Sequence, residues 1–240
     1  MRFYLFLRPI GLYLYGRTLS LFVQRLPFGL VLKECIRAPQ SEPNALRLVE
    51  THTGIPAPRL IDFGEYNTYL IMTHIRGRDL AEVAHLMSYA ERDLFADDLA
   101  RCVAQLRKIP NNTPYLFADT VGGRVVDHRI PDGRGGPFNT EADFNNHLVS
   151  HLACSFVNAV DELSPPRSHA SYFTHSDLHA TNLMVEGGGG GWRALSTGSV
   201  RGTSLSTGSS LRQCMGRIGS RSSRRSFGVR LGVNMRWSWR

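Results

Sequence analysis

The stretch Phe173-Thr174-His175-Ser176-Asp177-Leu178-His179-Ala180-Thr181-Asn182-Leu183-Met184-Val185 is the densest run of polar chemistry in the chain. Its skeleton is a histidine, an aspartate two residues on, an asparagine five residues further, and then an apolar, strand-like run. Moving a phosphoryl group asks little covalent chemistry of a protein. It needs a carboxylate to accept the proton of the attacking hydroxyl, and oxygen ligands for the magnesium ions that hold the phosphates. Asp177 suits the first role. Asn182 suits the second, because a loop returning at that spacing offers a neutral amide oxygen to a hard cation. His175 is expected to hold the loop by hydrogen bonds rather than to react.

Upstream, the residue pattern divides into two halves. Met1 to Val23 is aromatic and apolar, but Arg2, Arg8 and Arg17 interrupt it, and no signal-peptide core or cleavage site is clear. Thr18–Arg25 and Leu30–Cys35 read as strands. Glu42–Thr51 reads as a short helix with Ser41 as its cap and Ala45, Leu46 and Val49 on one face. Ile55-Pro56-Ala57-Pro58 is an extended connector, since each proline biases its predecessor away from helix. Arg59–Phe63 and Thr68–Thr73 read as two strands around the turn Gly64-Glu65-Tyr66-Asn67. After Gly77 the pattern turns helical: Leu80–Leu86, Tyr89–Ile109 and Glu141–Leu163, with a Gly/Pro-rich loop carrying small strand pieces over Asn111–Phe138. A β-rich part followed by a helical part predicts two lobes with a cleft between them, where ligand sites tend to lie.

The His-x-Asp-x-x-x-x-Asn run resembles the catalytic loop of kinase-like phosphotransferases. With His-Ser-Asp-Leu-His and the following Asn-Leu, the chain more specifically resembles the aminoglycoside/choline phosphotransferase family, chiefly its fungal members. The resemblance runs from about Leu30 to Val185. It includes Phe28-Gly29-Leu30-Val31-Leu32-Lys33, Glu42-Pro43-Asn44-Ala45-Leu46-Arg47, Ile55-Pro56-Ala57-Pro58-Arg59-Leu60-Ile61-Asp62 and Tyr69-Leu70-Ile71-Met72. It implies an α/β (α+β), bilobal, protein-kinase-like fold with a small β-rich N-lobe and a mostly helical, incomplete C-lobe. The domains implied are a β-rich nucleotide-binding lobe over 1–76 and a helical lobe over 77–186 holding the catalytic loop 173–185, and composition adds the expectation of a disordered Gly/Ser/Arg-rich tail over 187–240. It implies that Lys33 contacts nucleotide phosphates, that Glu42 is its helix partner, and that Met72, Thr73, His74 and Ile75 form a hinge whose backbone holds adenine. ATP or GTP with magnesium would be the cofactors, and a small molecule bearing a hydroxyl the acceptor. Only Lys33 and Lys108 are lysines in a chain with 28 basic residues. A lysine kept amid such arginine bias agrees with a phosphate contact, because a compact ammonium and a planar guanidinium are not interchangeable. Asp62-Phe63-Gly64 spells a kinase metal motif, but it precedes Asp177 where the motif must follow, so it reads as strand end plus turn. No Gly-rich nucleotide loop is recognisable; the region before Lys33 offers Gly11, Gly16 and Gly29.

Composition excludes several classes. Of 240 residues 42% are hydrophobic and 20% charged, which is enough for a core and too apolar for global disorder. No run approaches a membrane span. Cys35, Cys102, Cys154 and Cys214 lack Cys-x-x-Cys spacing, so neither a zinc site nor a redox motif is indicated, and a reducing, cytoplasmic setting is expected. The net charge of +8 is unevenly placed: from Gly187 onward there are ten arginines and no Asp, Glu or Lys, while the preceding 186 residues carry a net of −2. A basic Ser/Arg tail raises the alternative of RNA binding. Stacking residues are sparse there (Trp192, Phe227, Trp237, Trp239), and no RNA-binding fold is visible, so nucleic acid is not the expected partner. The family's second metal-binding aspartate, about twenty residues after the base, has no acidic counterpart here. Read one base earlier, the codons from Gly191 permit R-L-A-G-I-V-D-W-E-C-A-G-Y, with an aspartate in the slot of Thr197. The tail is therefore expected to be an out-of-frame translation, and the chain as it stands an impaired enzyme. The alternative is a pseudokinase-type scaffold.

Overall fold

The computed structural model describes residues 2–17, 22–36, 39–64, 69–127, 130–150, 170–188 and 191–195. Its first half is a four-stranded antiparallel sheet: β1 (Val23–Leu26), β2 (Leu30–Glu34), β3 (Leu60–Phe63) and β4 (Tyr69–Thr73), in the order β1-β2-β4-β3. Alternation along a strand sends successive side chains to opposite faces. On one face Val31, Cys35, Leu70 and Met72 pack under Ala45, Leu46 and Val49 of α2 (Ser41–His52). On the other, Leu26, Leu32 and Ile71 pack under Leu7 of α1 (Arg2–Tyr15). Cover on both faces explains why β2 and β4 read as nearly unbroken apolar runs. Lys33, in step with Val31 and Cys35, falls on the α2 face.

Helix α1 differs from the sequence reading, which assigned no helix to this segment. Pro9 lies inside it and aromatic residues lower its intrinsic propensity. Docking on the sheet sustains it instead: at Gly11 the backbone of β1 comes so close that an added Cβ would overlap the Arg25 carbonyl. The strand expected from Thr18 begins at Val23, and residues 18–21 lie outside the described ones. Ser41 is also not the cap of α2. The N-cap is Gln40, which makes no side-chain capping bond, and Ser41 is the first helical residue.

The second half is built around another sheet. After β4, β5 (Arg78–Asp79) pairs antiparallel with β8 (Met184–Gly188), which pairs with β9 (Gly191–Leu195). The short α3 (Leu80–Val83) continues as a 3-10 turn over Ala84–Leu86. Then α4 (Tyr89–Leu106) opens with a capping box: Ser88 accepts from Glu91 N–H, and the Glu91 carboxylate accepts from Ser88 N–H. Leu80, Val83, Met87 and Phe95 close on Ala180, Leu183 and Val185. A third cluster joins the small hairpin β6 (Val125–Val126) and β7 (Arg134–Gly135) to α5 (Glu141–Val149). In it Phe144 stacks on Phe117 at 4.8 Å and meets Phe138 edge-on at 5.5 Å. The helix expected over Glu141–Leu163 is described to Val149; residues 151–169 lie outside the described ones.

The two halves share one core. Ile109, just past α4, and Phe173, the first residue of the polar run, both sit in the cluster beneath α2. Phe173 is 1% exposed. Phe173→Ala is expected to lower the unfolding free energy by about 3–5 kcal/mol in urea titrations. A loss under about 1 kcal/mol would show that it does not tie the halves together.

Candidate functional site

Lys33 and Glu42 meet as a buried ion pair, each 4% exposed. The Lys33 ammonium donates to Glu42 Oε1. The other carboxylate oxygen is also occupied: Cys35 Sγ donates to Glu42 Oε2 at 3.1 Å. Burial, then the Glu42 carboxylate, push the Cys35 thiol well above the ordinary thiol range, with Lys33 opposing. The thiol therefore stays protonated and serves as a donor, not a nucleophile. Sequence reasoning missed Cys35, although strand period places it on the same face as Lys33.

In the polar run, Asp177 and Asn182 are in contact. A 3-10 turn over Ala180–Asn182 brings the asparagine back, and its Nδ2 donates both to Asp177 O at 2.9 Å and to Asp177 Oδ2 at 3.1 Å. With the amide nitrogen committed to Asp177, the amide oxygen is the end left to meet a cation or water. Asp177 N–H donates to His175 Nδ1 at 3.2 Å. Nδ1 is thus an acceptor, and the neutral imidazole carries its proton on Nε2. His179 does similar local work, as N-cap of the 3-10 turn with Nδ1 accepting from Thr181. The run is held below the sheet by Phe173 and by Leu80 N–H donating to Leu183 O at 2.8 Å.

The segment Met72–Ile75 leaves the sheet with much of its backbone already engaged. Met72 is in register with both Val31 and Leu60. Thr73 N–H donates to Arg59 O at 3.0 Å, and His74 N–H donates to Gly29 O at 2.7 Å. Ile75 is the first of the four beyond these bonds. The turn before β2 thus grips the segment leaving β4, and it does so through a tight bend in which Phe28 (φ 63°) and Gly29 (φ 69°) are both left-handed. Asp62 and Phe63 close β3, a strand end as the sequence suggested. Hydroxyl and amide groups of Ser41, Asn44 and Thr120 form a further buried network beside Glu42. It spans 79 residues of sequence between Ser41 and Thr120, and no local pattern could announce it.

These features define a class: a kinase-like phosphotransferase architecture, with a two-faced antiparallel sheet, a strand lysine paired to a helix glutamate, and an Asp–Asn loop before a β-hairpin. The chain belongs to the phosphotransferase enzyme family (APH), whose model matches residues 33–195. No curated protein matches significantly. Similar solved structures include a thermostable mutant of aminoglycoside phosphotransferase APH(4)-Ia in ternary complex with ADP and hygromycin B. It is 15% identical, with a TM-score of 0.49, over 82% of this chain and 72% of that one. A second mutant of that enzyme, with AMP-PNP and hygromycin B, gives 15% and 0.48, over 82% and 71%. Among the described residues no helix is long and apolar enough to cross a membrane. Of the tail expected over 187–240, residues 187–188 and 191–195 belong to the paired strands β8 and β9, while the rest, with the metal-aspartate slot at Thr197, lies outside the described residues.

His74, just past β4, predicts a pH effect. Burial, then Arg25 and Arg76, lower the His74 pKa from its ordinary 6.5. Below that value the unfolded chain takes the proton more readily than the folded one. Stability is therefore full above about pH 6.5 and falls as pH drops toward the lower folded value. His74→Asn should flatten this part of a thermal-melt profile taken from pH 7.5 to 5. An unchanged slope would assign it to another group.

Proposed function

We propose that the chain binds a nucleoside triphosphate and is built to pass its γ-phosphoryl group to a hydroxyl of a small molecule. The observation that carries this is the buried Lys33–Glu42 pair, tied through the Phe173 core to a loop in which Asp177 and Asn182 touch. Nothing in packing calls for a lysine there, since desolvating such a pair costs about as much as its attraction returns. A phosphate-facing ammonium held rigid by a carboxylate does call for it.

In this reading residues 1–76 hold the nucleotide and 77–186 carry the catalytic loop, while the strand pair of β8 and β9 runs past that boundary to Leu195. Lys33 meets the phosphates and Glu42 fixes its direction. Adenine lies against the hinge near Ile75, because Met72, Thr73 and His74 already spend backbone groups on the fold. Asp177 accepts the hydroxyl's proton, and His175 holds the Asp177 backbone. The Asn182 amide oxygen, turned away from the bonds that Nδ2 makes, is the protein ligand for magnesium. Among the described residues no three His, Cys, Asp or Glu side chains are grouped to hold a metal by themselves, so the ion would be held chiefly by the nucleotide's own phosphates. Magnesium, when bound, neutralises charge on those phosphates.

One sequence fact favours a second reading. No Asp or Glu follows Glu186, so a second acidic metal ligand after the loop is lacking and charge stabilisation is weaker. The chain as it stands would then retain nucleotide affinity while transferring phosphate poorly, a binding or scaffold role on the same fold.

Calorimetric titration with ATP and magnesium is the test. Binding is expected for the unaltered chain, and Lys33→Ala should weaken it by about tenfold or more, the scale of a lost charge-assisted contact. Asp177→Asn should leave affinity within about threefold and abolish whatever transfer to water or acceptor is measured with labelled ATP. Unchanged turnover in Asp177→Asn would remove it as the base. Absence of ATP binding would remove the nucleotide reading altogether.

A further inference from the structure

Every polar group of Thr120 is directed at the first turn of α2. Its N–H donates to Ser41 Oγ at 3.3 Å, its hydroxyl donates to Ser41 O at 2.7 Å, and its carbonyl accepts from Asn44 Nδ2 at 2.8 Å. Ser41 Oγ lies 3.1 Å from Thr120 Oγ1. Each hydroxyl has one proton, and that of Thr120 is spent on the Ser41 carbonyl, so Ser41 donates in return. The result is a closed ring of bonds between residues 8% and 1% exposed. Such a network is stiff when fully satisfied and costly when broken.

Both ends of this contact are informative. On the α2 side, the helix has no side-chain cap of its own at Gln40, and Glu42 is the residue next to Ser41. On the other side, Thr120 sits in a rigid bend. Asp119 Oδ1 accepts from Val121 N–H at 2.9 Å and Gly123 N–H at 2.6 Å, while Asp119 N–H donates to Gly123 O at 3.1 Å. Just before the bend, Phe117 is fully buried against Phe144. A continuous path of packed and bonded groups therefore runs from the aromatic cluster to the start of the helix that carries Glu42.

We infer that Thr120 is a positioning residue for the Lys33–Glu42 pair: through Ser41 and Asn44 it clamps the first turn of α2 and so sets where the Glu42 carboxylate stands. The consequence for nucleotide affinity rests on the reading given under Proposed function; the consequence for the geometry around Glu42 does not. Loss of the clamp lets the first turn of α2 move, which separates Glu42 from both Lys33 and Cys35.

Two readouts on the full chain test this. The first needs no nucleotide: the rate of Cys35 alkylation by N-ethylmaleimide, resolved by peptide mass spectrometry against Cys102 on α4. Thr120→Val should speed Cys35 labelling about tenfold while leaving Cys102 within about twofold, as local opening requires. Thr120→Ser, which keeps the hydroxyl, should return Cys35 to the original rate. Equal acceleration at both cysteines, or none at Cys35, overturns the inference. The second is ATP affinity by calorimetry. Thr120→Val should weaken it about fivefold to tenfold, and in a Glu42→Gln background the same change should add less than about twofold, since both act through one carboxylate. Full additivity overturns the inference. If Thr120→Val does not fold, Asn44→Ala carries the same measurements, with about threefold effects expected and no change at Cys35 refuting the clamp. If the unaltered chain takes up no ATP, the nucleotide reading fails, and the alkylation rates still decide the clamp.

Discussion

A lysine and a glutamate, each almost wholly withdrawn from water, stand at the meeting point of sheet and helix. The pair is costly to desolvate, and losing one partner leaves an uncompensated charge worth about 3–5 kcal/mol. Much of the neighbourhood meets that constraint. β2 runs through the middle of its sheet, so Lys33 cannot drift. α2 lies flat on the face from which Lys33 projects. Cys35 donates a hydrogen bond to the carboxylate oxygen that Lys33 does not use. The network at Thr120 secures the end of the helix where Glu42 sits.

The rest of the site is organised by continuity of packing rather than by charge. Phe173 and Ile109 enter the cluster under α2 from the helical half. The pairing of β5 with β8 stitches the segment that follows β4 to the strand after the polar run. Asp177 and Asn182 then need only a local device to face one another, the 3-10 turn at Ala180. An ion-pair site and a carboxylate–amide site, contributed by distant parts of the chain, thus become features of one body.

Parts of this were legible without coordinates. Strand period and the unbroken runs at Val31–Leu32 and Leu70–Met72 marked the two central strands. The spacing of Ala45, Leu46 and Val49 marked α2. The pair Asp177 and Asn182, five apart, marked the loop. Other parts were not. α1 carries a proline and low-propensity aromatics, and exists because Gly11 lets it press against β1. Ser41 looked like a cap from its place before a helix; its hydroxyl is taken instead by a residue 79 positions away. For Met72–Ile75 the sequence did not tell which backbone groups the fold had already used.

The sequence by itself determined the central strands, α2, α4 and the polar loop, and the identity of the chemical groups, because these follow from periodicity and local spacing. The tertiary structure alone decided which groups meet. Lys33 and Glu42 could be matched only by resemblance until α2 was seen lying on β2. Cys35 and Thr120 could not be matched at all. Contacts across long stretches of chain depend on how faces pack, and packing is a property of the whole core, not of any window of residues.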